Sequence, residues 1–156
     1  MFPGQYRNAI PNFIYWAMQG ISLPLTGTGE ETRDFTSVFD LVQGLVKSGY
    51  YKEALGENFN LAAGVETRIV DLIEMVNTAT KNPAPVVTRP RRKWDTKPRL
   101  LAAIAKAEKL INYKPRVDFR KGFERNIEWF RDNWTEIQTL ADFKPGMSSA
   151  VRLTAK

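Results

Sequence analysis

The segments of this chain that can form strands are few and short, so helices must carry most of its core. Leu23-Pro24-Leu25-Thr26 and Thr32-Arg33-Asp34-Phe35-Thr36 read as two strands, antiparallel across a turn at Gly27 and Gly29. Asn58-Phe59-Asn60-Leu61-Ala62 reads as a buried strand ended by Gly64, and Pro85-Val86-Val87-Thr88 as another short strand. Helical patterns fill the rest. Ala9 to Gly20 has Pro11 in its first turn and Gly20 suited to its C-terminal end. Ser37 to Lys47 has Ser37 near its N-cap and Val38, Leu41, Val42, Leu45 and Val46 at helical spacing. Thr67 to Thr80 carries Ile69, Val70, Leu72, Ile73 and Val76, the pattern of an amphipathic helix. Ala102 to Leu110 reads as helix, as does Gly122 to Trp134, whose Phe123, Ile127, Phe130 and Trp134 form a core stripe. The alternation predicts a mixed α/β (α+β) architecture without a complete sheet. At 156 residues the chain is one domain. Its folded part is expected over 1–140, with 141–156, small and polar after Phe143, as a flexible tail.

Composition narrows the chemistry. The chain has no cysteine, which excludes disulfides and thiolate metal sites, and no histidine, which removes the usual general base and the commonest metal ligand. Carboxylates, tyrosines and lysines remain for acid–base work, none in a recognisable catalytic spacing. No apolar run approaches the ~20 residues of a membrane span, and Met1-Phe2-Pro3-Gly4 has neither the basic nor the apolar region of a signal peptide. A soluble, cytoplasmic protein is the expectation. The net charge of +6 favours anionic partners, phosphate groups above all.

Three stretches carry a resemblance: Arg7-Asn8-Ala9-Ile10-Pro11-Asn12-Phe13-Ile14, Gly27-Thr28-Gly29-Glu30-Glu31-Thr32-Arg33-Asp34-Phe35-Thr36 and Phe59-Asn60-Leu61-Ala62-Ala63-Gly64. Arg92-Lys93-Trp94-Asp95, Lys106-Ala107, Tyr113-Lys114-Pro115, Gly122-Phe123 and Ile127-Glu128-Trp129 follow in order. Together they resemble the C-terminal, substrate-binding half of extended short-chain dehydrogenase/reductase enzymes, the NAD-dependent nucleotide-sugar epimerases and dehydratases. The resemblance implies part of a Rossmann-type enzyme: the small substrate-binding subdomain over 1–140, lacking the N-terminal NAD-binding half. No glycine-rich G-x-G-x-x-G turn occurs in the chain, and no tyrosine is followed four residues on by lysine, so the family's NAD site and Tyr-x-x-x-Lys pair are both missing. Phe2-Pro3-Gly4 resembles the end of the family's Y-G-P-G loop, which makes a truncated enzyme the expectation. No cofactor is expected in this chain, with NAD belonging to the complete family, and no catalysis is expected of it alone.

The resemblance also assigns roles. Arg33 would contact the pyrophosphate of a UDP-, dTDP- or GDP-linked sugar, since a guanidinium fork matches phosphate oxygens and stays charged. The alternative is a surface arrangement with Asp34 or Glu31. Arg92 would be the second phosphate contact, with Arg91 as the register alternative. It lies in a loop, Arg89 to Arg99, dense in charge and bracketed by Pro90 and Pro98. That loop could instead be simply solvated, or could bind nucleic acid with Trp94 stacking on a base. Asn12 and Phe13 match positions near the nucleotide, although their helix could simply pack. Thr26 stands where many relatives place an aromatic beside the base. Phe39 reads as a packing residue and Asp40 as a first-turn acid favoured by the helix dipole. The strand at Phe59-Asn60-Leu61 is expected to join the sheet of the absent half. Left unpaired, it would drive homo-oligomerisation or recruit a partner chain that supplies that half.

Overall fold

The computed structural model describes residues 8–91 and 95–140. The expected tail at 141–156, the resembling loop at Phe2-Pro3-Gly4 and the residues Arg92, Lys93 and Trp94 lie outside them. Six helices are described: α1 (Ala9–Met18), α2 (Val38–Tyr50), α3 (Ile69–Thr80), α4 (Ala105–Ile111), α5 (Phe119–Asp132) and α6 (Trp134–Leu140). Between them run β1 (Pro24–Thr26), β2 (Thr32–Asp34), β3 (Glu66–Arg68), β4 (Val87–Arg89) and β5 (Arg99–Leu100). The architecture is the mixed α/β one that the short strands require.

The strands pair differently from the expectation. β1 and β2 form no hairpin: β1 runs parallel to β4, with Leu25 opposite Thr88, and β2 lies between antiparallel β3 and parallel β5. The reason lies in the loop between them. Gly29 and Glu31 give their carbonyls to the Val70 and Ile69 amides at the start of α3, at 3.0 and 2.9 Å. The loop is therefore spent on satisfying a helix end, and the chain leaves it toward a different sheet. Residues 58–62 also join no ladder among the described residues. Asn60 Nδ2 instead donates to the Ala103 carbonyl at 3.2 Å, while Phe59 and Leu61 pack on a small cluster around Ala107, Ile111 and Tyr113. The strand in this part of the chain is Glu66–Arg68, a few residues later.

The main core is helical. Ile14 and Trp16 of α1, Leu72, Ile73 and Val76 of α3, and Phe123, Ile127 and Phe130 of α5 are all buried in one cluster with Leu23 and Ile137. The stripe read on α5 is thus its core face, with Trp134 at the margin against Tyr15, ring centroids 5.5 Å apart. Gly20, at φ 70°, ends α1 in a conformation that costs a side-chain-bearing residue energy.

α2 behaves otherwise. Ser37 caps it as expected, its hydroxyl accepting from the Phe39 amide. The side it turns inward, however, carries Asp40, Gly44, Gln43 and Lys47. Asp40 is the expected first-turn acid of α2, and it is also an internal anchor: it is 3% exposed and accepts from the Arg116 and Val117 amides at 2.8 and 3.0 Å. Gln43 Nε2 and Lys47 Nζ donate to the Lys114 and Asn112 carbonyls. Gly44 lets the helix lie on Leu61 and Tyr113, whose atoms would stand 2.7 and 3.0 Å from an added Cβ. Replacing Asp40 with alanine would leave two partly buried amides without this charged acceptor. A loss of about 2–4 kcal/mol is expected, read as a lower urea midpoint at unchanged m-value; an unchanged midpoint would refute this role for Asp40.

Candidate functional site

The Gly27–Thr36 stretch folds into a scaffold that delivers one cation to a cleft. The Glu31 side chain turns back into its own loop and accepts from the Gly29 amide at 2.9 Å, with the Thr28 amide and hydroxyl each at 3.5 Å. Gly27 sits at φ 86°, and an added Cβ there would run into the Glu31 carboxylate, which explains both the turn and the absence of a side chain. Three residues on, Asp34 reaches across to the turn that follows the Phe59–Ala62 segment. Its two oxygens accept from the Ala63 and Gly64 amides at 3.1 and 3.0 Å. Phe35 stacks on Phe119 of α5, centroids 5.4 Å apart and planes 20° apart. Gly27, Glu31, Asp34 and Phe35 of this stretch hold the scaffold, and Arg33 is the cation that the stretch brings to the cleft wall, beside Asp34, Phe35 and Thr36.

Arg33 lies on β2 between Thr67 and Leu100. Its side chain is 22% exposed, with Nη1 donating to the Thr32 carbonyl at 2.7 Å and Nη2 paired with Asp95 Oδ1 at 3.1 Å. Its partner is thus Asp95, not Asp34 or Glu31. The Asp95 carbonyl accepts from Arg91 Nε at 2.6 Å, so Arg91 and Arg33 both bond to Asp95, while Arg91 does not line the cleft. Arg92 lies outside the described residues.

Arg33 opens into a cleft of about 860 Å³ between the start of α1, the β2–α2 junction and α5. Asn8, Ile10, Phe39, Arg125, Asn126 and Trp129 contribute to its walls. Asn12 and Phe13 do not line it: Phe13, 8% exposed, belongs to the helical core, and Asn12 is buried beside it. The cleft is met by the end of α1 itself, through Asn8, Ala9, Ile10 and Pro11, whereas Asn12 and Phe13 come after this first turn and are buried. Thr26 stands opposite Arg89 on β1 and is likewise not part of this cleft's wall. Phe39, read as packing, is 66% exposed at the rim. Trp129 lay in a stretch that carries the resemblance but was given no role, and Arg125 and Asn126 had no signal beyond lying beside the core stripe of α5.

Arg99, at the end of the basic loop, is also occupied. Arg99 forms a two-point pair with Glu66, both contacts at 2.7 Å, and this bond first, then that from the Thr32 hydroxyl, holds Glu66 below the ordinary carboxylate range. Among the described residues no helix is long and apolar enough to cross a membrane.

No protein-family model matches the chain. Individual relatives do. An epimerase from Methanothermobacter thermautotrophicus is 51% identical and superimposes with a TM-score of 0.85, over 88% of this chain and 41% of its own. The Bordetella bronchiseptica enzyme WbmF, in a structure with NAD+ and UDP, is 33% identical with a TM-score of 0.72, over 86% of this chain and 40% of its own. UDP-glucuronic acid decarboxylase 2 of Arabidopsis thaliana is 30% identical over 93% of this chain and 31% of its own length. The chain's homologues are NAD-dependent nucleotide-sugar epimerases and dehydratases of the extended short-chain dehydrogenase/reductase family. It spans about two-fifths of the length of most of them.

Burial raises the Glu31 carboxyl, but the backbone donors of its own loop, aided by the nearby Arg91 charge, outweigh it and hold the group below its ordinary 4.5. A depressed carboxyl stabilises the fold above about 4.5, and that contribution is lost as pH falls through the lower folded value. Glu31→Gln is expected to lower the urea midpoint at pH 7 and to differ progressively less from the parent as pH drops toward about 3. Glu66 and Asp71, also depressed, are common to both proteins and cancel in the comparison. A difference that stays constant with pH would contradict the assignment.

Proposed function

We propose that this chain is the nucleotide-sugar-binding portion of an NAD-dependent epimerase or dehydratase, with Arg33 as its diphosphate contact. The observation that carries the reading is the placement of Arg33: a permanently charged fork, three-quarters buried, anchored at two points and opening into a cleft of nucleotide size. A diphosphate entering the cleft would compete with Asp95 for the Nη2 edge of the guanidinium, exchanging one anionic partner for another. Arg92, or its neighbour Arg91 through the Asp95 carbonyl, is the second proposed cation on the same group. Asn8 takes over the base-side role first read on Asn12, because it is Asn8 that faces the cleft.

The same reading makes the chain a binder and not a catalyst. Tyr113 is fully buried, donates its hydroxyl to the Ala62 carbonyl at 2.9 Å, and is pushed up by burial and then by the Asp40 and Asp34 charges. It cannot supply a phenolate near neutral pH. Nor do the described residues fit the pyrophosphate of NAD. No described helix opens behind a glycine-rich turn, the Gly27–Gly29 loop gives carbonyls rather than amides to α3, and α2, α3 and α4 carry Asp40, Asp71 and Glu108 in their first turns. No chemical step is assigned to this chain. Nucleic-acid binding by the basic loop is disfavoured by the two-point engagement of Arg99 with Glu66.

Titration calorimetry with UDP and UMP tests the proposal. UDP is expected to bind more tightly than UMP, and Arg33→Gln to weaken UDP by about tenfold or more while leaving UMP nearly unchanged, since one charge-assisted contact carries about 1.5–3 kcal/mol. Equal UDP affinity in the Arg33→Gln protein would overturn the assignment, and turnover of a UDP-sugar by the chain with added NAD would overturn its non-catalytic character.

A further inference from the structure

The helix α5 carries two stripes. Phe123, Ile127 and Phe130 are buried in the helical core, while Gly122, Arg125, Asn126 and Trp129, at the spacing i, i+3, i+4, i+7, line the cleft that holds Arg33. Gly122 keeps the helix close to Val117, another residue of the wall, since an added Cβ would stand 3.3 Å from Val117 Cγ1. Asn126 turns its side-chain amide back to the Gly122 carbonyl at 3.3 Å. Arg125 is therefore the charged donor that α5 offers to the cleft. It is exposed, and it forms no ion pair among the described residues. Arg131 of the same helix, which does not line the cleft, is by contrast tied down by the Ala79 carbonyl at 2.8 Å.

The acids near the cleft are committed elsewhere. Asp34 accepts from the Ala63 and Gly64 amides, and Asp118, in a small hollow that shares Ile10, Phe35 and Val117 with the cleft, accepts from the Lys121 amide at the start of α5. Arg33 has Asp95 as its counter-charge, whereas Arg125 has none among the described residues. Two cations on separate elements, β2 and α5, thus line one cleft of about 860 Å³. Such an arrangement is complementary to a ligand with two separate anionic groups. We infer, resting on the reading of Arg33 as the diphosphate contact, that Arg125 binds a carboxylate carried by the sugar, so that the cleft prefers acidic nucleotide sugars to neutral ones. A guanidinium fork meets a carboxylate at two points in one plane. Apolar walls at Ile10, Phe35 and Trp129 keep the screening of such a pair below that of an open surface. Asn8 takes the base side in the reading above, which leaves α5 to the sugar.

Titration calorimetry at one ionic strength compares UDP-glucuronate with UDP-glucose, which differ by a carboxylate against a hydroxymethyl group. The parent protein is expected to bind UDP-glucuronate about threefold more tightly or better, the size of one partly screened ion pair. Arg125→Gln is expected to bring the ratio of the two affinities to about one, and Arg125→Lys to keep part of it, because lysine retains the charge without the fork. Arg33→Gln should weaken both ligands alike and leave the ratio standing. Because Arg125 is exposed, an unchanged far-UV spectrum and urea midpoint check that the Arg125→Gln protein is folded. A ratio of about one in the parent, or a ratio that survives Arg125→Gln, would overturn the inference and leave the diphosphate reading intact. Equal affinities of the parent and Arg33→Gln proteins for both ligands would instead overturn that reading, and no binding of either ligand would overturn both.

Discussion

The carboxylate of Asp34 holds the site end of this molecule together. Its oxygens accept from the Ala63 and Gly64 amides, and the Thr36 hydroxyl adds a bond to the same Ala63 amide. These contacts join β2 to a turn some thirty residues away, a loop closure that backbone pairing alone does not provide. With β2 held there, Arg33 beside it has a fixed origin and Phe35 can stack on α5. Asp40, in the first turn of α2, repeats the device, tying that helix to residues 116–117. Hydrogen bonds to charged acceptors are worth roughly twice neutral ones, which suits a structure whose strands are only two or three residues long.

Much of this was legible in the chain and some was not, for definable reasons. The helices were readable because their apolar residues recur at helical spacing and Ser37 sits where an N-cap belongs. Arg33 was singled out because the stretch around it resembles the family's motif, and the structure puts its side chain in the wall of the cleft. Strand pairing was not readable. Glu66-Thr67-Arg68 has no strand signal of its own and becomes a strand because Glu66 meets Thr32 and Arg99 across the ladder. Asn58–Ala62 has the signal but no ladder partner in the described residues, so its apolar side chains pack locally. Asn12 and Phe13 matched by position, yet a residue's facing around α1 is set by core packing, and that packing put Asn8 at the cleft instead.

The inverted polarity of α2 separates two questions that the sequence runs together. Helical periodicity says that a face is to be buried; it does not say by what. In α5 the periodic face meets the chain's own core, whereas in α2 it meets nothing among the described residues. The first gives the fold its stability, and the second leaves an apolar row at the surface. The cleft at Arg33 and this helix face are separate surfaces, linked through Asp34 and Asp40 at the two ends of the β2–α2 connection.

The account stands on Arg33 being the point where an anionic ligand meets the fold. The most direct measurement is an NMR titration of the nitrogen-labelled protein with UDP, following the backbone amides and the Arg33 Nε–H resonance. The account predicts that the Arg33 Nε–H shifts with the same saturation curve as the amides of residues 8–10 and 33–37. Shifts confined to Arg89, Arg99 and their neighbours, or an unmoved Arg33 resonance at saturating UDP, would contradict it.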